Sequence, residues 1–318
     1  MKGRMSGAMS GRLIGWGLRL VELLSVVVPV RLLYAVARWL GWLAMPVFEG
    51  RRQTVRNNLQ RLHPSWEPDA LDAAAKRVFQ ENAMYYVDAA LLPQLPPQQV
   101  LDDHLVIEQI ELLEAALARG NGVVLAGAHL SNPELPFRAL AALQIDGLAL
   151  VEPLADSKRM EEMRRRRETG GLRFVPADMH GIKQAIEQLH SGGVVAILID
   201  RDIQKQGVCV PFMRRLAQFP TGAIDLAMRT EAALLFSYAV RLEHEQRFAV
   251  RFLEMPELLR SDNRANDVRA NIASLVALME PILQEHCTQW RMFESPWAAC
   301  RDTVYHEGGA PRPLSGTP

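Results

Sequence analysis

From Gly122 onward the chain repeats one unit, a short continuous apolar run followed by a stretch of helical length. The runs fall at Gly122–Ala128, Gly147–Glu152, Leu172–Val175, Val194–Ile199, Leu234–Leu242 and Phe248–Leu253. A helix is expected after Pro133, others over Ser157–Glu168, Ile182–His190 and Thr221–Thr230, and a long one closes the unit near Asn266–His286. A strand with one solvated face alternates apolar and polar residues; uninterrupted apolar runs between helices belong to strands covered on both faces. The chain therefore reads as α/β, a mainly parallel sheet flanked by helices. At 318 residues and 49% hydrophobic composition it is long and apolar enough to bury such a sheet.

The first hundred residues read differently, as a helical prelude. Arg51–Leu62 and Pro68–Leu92 have amphipathic periodicity, and Pro93, Pro96 and Pro97 punctuate the exit of the second. Before them, Leu13–Phe48 is rich in Leu, Val, Ala and Trp. A spanning helix needs about 20 consecutive apolar residues, but Arg19, Glu22, Arg31 and Arg38 divide this region so that its longest uncharged run is Trp39–Phe48. The same charges argue against a signal peptide. A seven-residue step is nearly two helical turns, so Arg12 and Arg19 share a face, as do Arg31 and Arg38 beyond the break at Pro29. Apolar residues and Trp16, Trp39 and Trp42 lie between these cationic stripes, a pattern suited to the headgroup boundary. The reading is a membrane-associated helical segment over residues 1–50, an α/β domain over 51–306 and a Gly/Pro-rich disordered tail over 307–318. A pair of buried core helices, or one imperfect span with snorkelling arginines, is the competing account of the first segment.

Charge sharpens this division. The 36 Lys/Arg balance the 36 Asp/Glu, so the whole chain has no electrostatic pull toward nucleic acid. Residues 1–60 alone hold nine basic residues against Glu22 and Glu49. Cys209, Cys287 and Cys300 are too few and scattered for a disulfide framework or a zinc site, and are expected to be free thiols in a reducing cytosol.

In an open parallel sheet, ligands bind at the carboxyl ends of the strands, and two of these ends carry chemistry. The first runs into His129-Leu-Ser-Asn-Pro-Glu134, an H-x4-E pair. The spacing lets the carboxylate fold back onto one imidazole nitrogen and raise the basicity of the other. It equally suits a helix-capping Glu beside an incidental His. With no G-x-S-x-G elbow or placed thiol nearby, a hydroxyl activated by His129 would belong to a substrate. The second strand end leads into Asp200-Arg201-Asp202, Gly207, Phe212 and Pro220-Thr221-Gly222. Gly207 permits a tight loop, and Gly222 near a helix start offers amide donors to a phosphate or oxyanion. An ordinary βα connection with solvated charges reads the same way. Between the two lie Arg164–Arg167, of which one or two would face the crevice.

Taken in order, these features resemble the bacterial lipid A and phosphatidylinositol mannoside acyltransferase family of the lysophospholipid acyltransferase superfamily. The resemblance rests on the apolar N-terminal segment, Arg52 to Leu59, His129 with Glu134, and Arg167 with Gly171–Pro176. Asp200–Phe212, Pro220–Gly222, Trp290–Phe293 and Pro296-Trp297 complete it, so that it covers roughly residues 13–300. It implies a glycerolipid acyltransferase-like fold with His129 as general base, Glu134 as its orienting carboxylate, and Arg167, Asp200, Arg201, Gly207, Phe212 and Gly222 around the substrates. It further implies transfer of a fatty acyl chain from acyl-CoA or acyl carrier protein to a hydroxyl of a glycolipid, at the cytoplasmic face of the plasma (inner) membrane, as a peripheral or monotopic protein. No metal or redox cofactor is called for. Residues near Phe212–Phe219 are candidates for the acyl channel, and backbone amides and Arg167 for the oxyanion donors. Two departures stand out: the family's G-H-F-G-N-W-D/E reads Ala128-His129-Leu130-Ser131-Asn132-Pro133-Glu134, and its F-F-G reads Phe212-Met213-Arg214. A lipid thioesterase, in which water replaces the acceptor hydroxyl, and a catalytically inactive glycolipid-binding protein at the membrane surface are the alternatives.

Overall fold

The computed structural model describes residues 15–153, 168, 173–243, 246–300, 303–304 and 312–313. The helix expected over Ser157–Glu168, including Arg167, lies outside the described residues except for Glu168, and so does most of the tail expected to be disordered.

The prelude is helical throughout: α1 (residues 15–25), α2 (Val30–Val47), α3 (Glu49–Leu62), α4 (Pro68–Leu91) and α5 (Pro97–His104). Pro29 caps α2 and Pro68 opens α4, positions where proline's fixed φ and missing N–H cost nothing. Among the described residues, no helix is long and apolar enough to cross a membrane. α2 packs on α4 through Leu33, Tyr34 and Ala37 against Met84 and Val87. Its other face leaves Leu32, Trp39 and Leu40 more than half exposed.

The remaining strands and helices run β1 (Leu105–Glu108), α6 (Ile110–Leu117), β2 (Val123–Gly127), α7 (Leu135–Ala142), β3 (Gly147–Val151), β4 (Arg173–Pro176), α8 (Met179–His190) and β5 (Val194–Leu198). They continue with β6 (Val208–Phe212), β7 (Arg215–Phe219), α9 (Gly222–Thr230), β8 (Ala233–Arg241), β9 (Phe248–Glu254) and α10 (Arg264–Glu285). The seven-stranded sheet has the order β1-β9-β8-β2-β5-β3-β4. The five strands from β8 to β4 are mutually parallel, and β9 and β1 run the other way. This is the expected class, extended by β1, whose four residues Leu105–Glu108 include a charge and were too short to register as an apolar run.

Side chains of β2 divide between the two faces. Val124 and Ala126 join a core with Leu148, Val195, Leu189 of α8, Ala223 of α9 and Leu275 of α10. Val123 and Leu125 join another with Leu113 of α6, Leu135, Phe137 and Leu140 of α7, and Val250 of β9. Burial on both sides is the physical reason the strands read as continuous apolar runs.

Two expectations are corrected here. Cys209 and Cys300 form a disulfide, with Cα atoms 6.1 Å apart, and Cys287 alone is a free, buried thiol. Spacing hid the pair because 91 residues separate them; the C-terminal segment returns to lie beside β6. The loop read from Gly207 to Phe219 is instead an antiparallel hairpin, β6–β7, within a second small sheet that β10 (Thr303–Val304) and β11 (Arg312–Pro313) extend. Its turn holds Met213 and Arg214 at φ 49° and 61°. Such a two-residue hairpin turn ordinarily announces itself with Asn-Gly, and neither residue is present.

Candidate active site

Strands β2 and β5 are neighbours in parallel register, with Gly127 opposite Leu198. Two residues further on, the same offset brings His129 opposite Asp200, and the Ile199 amide still donates to the Gly127 carbonyl at 2.9 Å. His129 Nδ1 lies 2.7 Å from Asp200 Oδ1, and the His129 amide donates to Oδ2 at 2.9 Å. The Trp290 indole N–H donates to the same Oδ2 at 2.8 Å. Asp200 is 0% exposed. Burial by itself would raise its pKa, but the imidazole, the indole and the amide outweigh it and hold the carboxyl below its ordinary value. An ionised Asp200 places the proton on Nδ1 and leaves Nε2 as a lone-pair base; among the described residues Nε2 has no hydrogen-bond partner.

The carboxylate bonded to the imidazole is thus Asp200, where Glu134 was expected. Glu134 is the N-cap residue of α7, its own amide bonded to Asn132 Oδ1. Its carboxylate accepts from the Tyr85 hydroxyl at 3.3 Å and faces Arg138 at 4.0 Å. The H-x4-E spacing does bring Glu134 to the same cavity wall as His129. What it could not reveal is that a neighbouring strand, rather than the next helix, supplies the partner of Nδ1.

The loop carrying His129 is clipped by the segment after α10. Ser131 N–H donates to the Gln289 carbonyl, Arg291 N–H donates to the His129 carbonyl at 2.9 Å, and Leu130 and Trp290 form an antiparallel bridge. Arg291 Nε donates to the Ser131 carbonyl at 2.6 Å. Ser131 itself sits at φ 46°, in the left-handed region that favours glycine.

His129 and Glu134 line a cavity of about 300 Å³ together with the apolar side chains of Leu125, Phe137, Ala149, Phe174 and Ala196. Tyr85, Arg201 and Arg291 line it with them. A second cavity of about 560 Å³ shares Leu150, Ile197, Leu198 and Arg201 with the first and extends to Gly207, Thr221 and Gly222. Arg201 is held between Glu294 at 2.5 Å and Glu152 at 3.6 Å. At Gly207 the chain passes so close to β7 that a Cβ would stand 2.1 Å from the Phe219 carbonyl oxygen. Gly222 begins α9.

Phe212 lines neither cavity. It is fully buried, stacked on Trp297 at 5.0 Å and edge-on to Phe219 at 5.3 Å, so its expected place against substrate is corrected to a core position under the hairpin. The apolar lining of the cavity beside His129 comes from β2, β3, β4, β5 and α7 instead. Tyr85, Trp290 and Arg291 were not singled out as site residues. Trp290 and Arg291 belong to the C-terminal element of the resemblance, but no spacing rule links that element to His129, 161 residues before Trp290.

The family described as bacterial lipid A biosynthesis acyltransferase matches residues 6–298. The chain belongs to that family. This acyltransferase is 26% identical over 257 residues to the phosphatidylinositol mannoside acyltransferase of Mycobacterium tuberculosis (strain CDC 1551 / Oshkosh), an alignment covering 79% of this chain and 78% of the relative. It is 25% identical to the enzyme of the same name from Mycolicibacterium smegmatis (strain ATCC 700084 / mc(2)155), over 79% of this chain and 81% of the relative.

Proposed function

We propose that this acyltransferase moves a fatty acyl chain from an acyl thioester to a hydroxyl of a glycolipid at a membrane surface, with His129 as general base. The observation that carries the reading is the Asp200–His129 pair opening onto a cavity with apolar depth. Nε2 takes the acceptor's hydroxyl proton as the oxygen attacks the thioester carbon, a role that contributes about 10²–10⁴-fold. Asp200 fixes the ring's tautomer and offsets the charge it gains. Glu134, on the same wall, offers a second carboxylate to the acceptor's hydroxyls. The acyl chain occupies the depth between α7 and the sheet, where Phe137, Ala149 and Phe174 exclude water. The second cavity, with Arg201 and the N-terminus of α9, suits the polar carrier, acyl-CoA or acyl carrier protein. The exposed apolar faces of α1 and α2, flanked by arginines, suit peripheral attachment to the inner face of the plasma membrane. His129 and the carboxylates supply this chemistry without a metal or redox cofactor.

The test is a membrane-fraction assay with radiolabelled palmitoyl-CoA and, in parallel, palmitoyl acyl carrier protein, adding total lipid from the native host. Label entering a glycolipid with the wild type and lost with His129→Ala supports the reading, and the preferred thioester identifies the donor. Label released as free fatty acid irrespective of acceptor makes the protein a thioesterase. No turnover by the wild type with either donor removes the catalytic reading.

A further inference from the structure

Arg291 has a chemical position that holding a loop does not require. Its Nε already serves the Ser131 carbonyl at 2.6 Å, and its guanidinium stacks on the Tyr85 ring, 3.7 Å from the centroid. Among the described residues, the two terminal nitrogens have no hydrogen-bond acceptor, yet the side chain lines the same cavity as His129. Its amide is bonded to the His129 carbonyl, so the cation and the base are carried on adjoining backbone. Burial pulls the guanidinium below its ordinary pKa, and Tyr85, Tyr86, Asp88 and Glu134 do not restore it. Among the arginines with a resolved shift in the described residues, the other four, Arg52, Arg201, Arg241 and Arg251, shift upward beside acidic or phenolic partners. Arg291 is a desolvated cation on backbone bonded to that of His129, and its terminal N–H groups are left for an anion in the shared cavity.

We infer that Arg291 is the oxyanion donor of the acyl transfer, its terminal N–H groups receiving the carbonyl oxygen of the thioester as charge develops there. The assignment rests on the acyl-transfer reading. As the acceptor oxygen bonds to the thioester carbon, its proton passes to His129 Nε2 and the carbonyl π pair moves onto oxygen. That oxyanion takes the two free Arg291 donors. When the carbonyl re-forms, the C–S bond breaks, sulfur leaves with the electron pair, and the proton on His129 returns to it. A planar cation fixed by Nε and by the Tyr85 ring needs no reorganisation at that moment, which is the condition for strong transition-state stabilisation. A phosphate of the donor or acceptor is the other anion a guanidinium recognises, and it would be bound equally in the ground state.

The full chain with Arg291→Lys and Arg291→Ala, in the palmitoyl transfer assay, separates these. Loss of an oxyanion donor lowers kcat by about 10²–10³-fold, with KM for the thioester unchanged and with millimolar guanidinium restoring kcat to Arg291→Ala. A rise in KM with kcat held overturns the assignment, because the anion is then a ground-state phosphate. So does wild-type kcat in both variants, or a fall in kcat that tracks a lowered melting temperature and resists guanidinium. Where neither variant folds, the wild type decides: a palmitoyl phosphonate with a permanent oxyanion binds more tightly than the neutral ketone of equal length, and equal binding overturns the assignment. A wild type that transfers no label overturns the acyl-transfer reading and this assignment together; an active wild type matched by its variants overturns the assignment alone.

Discussion

Asp200 is fully buried and its ionised form receives three hydrogen bonds, from the His129 ring, the His129 amide and the Trp290 indole. Under the proposed mechanism its side chain couples catalysis to acid stability. A carboxyl whose folded pKa is depressed stabilises the native state above its unfolded value, about 3.9 for aspartate, and that contribution fades as pH falls through the lower folded value. Asp200→Asn forfeits it. The stability gap between wild type and variant, measured by urea unfolding from neutral pH downward, is expected to be widest above about pH 4 and to close below it. The same variant is expected to lose roughly 10²–10⁴-fold in kcat, since an amide no longer dictates which ring nitrogen carries the proton. A stability gap that does not change with pH, or full activity of the variant, excludes this account. Ser131 and Arg214 add a second lesson at this scale. Both occupy positions where the family pattern carries glycine, and both hold left-handed φ values, 46° and 61°. Neither side chain is glycine, so the left-handed geometry costs about 1–2 kcal/mol at each position.

Among the elements, the segment from Cys287 to Cys300 does most to complete the site. It carries Trp290 to Asp200 and Arg291 to the cavity, stacks Trp297 on Phe212 with its indole on the Phe212 carbonyl at 3.1 Å, and ends in the disulfide to β6. A cross-link closing so long a loop removes disorder from the unfolded chain. Cys209→Ser with Cys300→Ser is expected to lower stability by about 2–4 kcal/mol, read from denaturation midpoints with and without reductant; a wild type indifferent to reductant argues against the bridge. This segment also marks where sequence reasoning ends. The runs from Gly122 to Leu253 disclosed both class and strand ends because burial on two faces leaves an uninterrupted apolar signature. His129 and Asp200 were visible separately as polar residues leaving such runs. Their pairing was not, because it depends on β2 and β5 being neighbours, and strand order is set by tertiary packing. Trp290, Arg291 and the cysteines act over long separations that no local period encodes.

At the scale of the molecule, the helical prelude and the catalytic layer share one buried polar network. Tyr34 of α2 donates to Asp88 of α4 at 2.5 Å; Asp88 also holds Arg241 at the end of β8, which reaches Glu81 at 3.1 Å. The Gln289 side chain then bridges the Arg241 backbone, accepting from its amide at 2.7 Å and donating to its carbonyl at 3.0 Å. The Gln289 carbonyl in turn receives the Ser131 amide, two residues from His129. Burial raises the Glu81 carboxyl despite Arg241, so the network is costly to desolvate and specific in what it accepts. On the far side of α2, Leu32 and Trp39 lie seven residues apart on the exposed face. Leu32→Glu with Trp39→Glu is expected to weaken binding to anionic lipid vesicles on the order of 10²-fold while leaving the melting temperature in place. Vesicle binding that survives the double substitution excludes this face as the attachment surface.

The clip formed by residues 289–291 has a consequence for how the enzyme is made. His129 and Asp200 leave the ribosome well before Trp290 and Arg291, and until those arrive Asp200 lacks its indole donor and the His129 loop its bracing strand. Synthesis order thus delays assembly: α1 and α2 are made before residues 289–291, and the surroundings of His129 and Asp200 are completed only when that later segment folds against them.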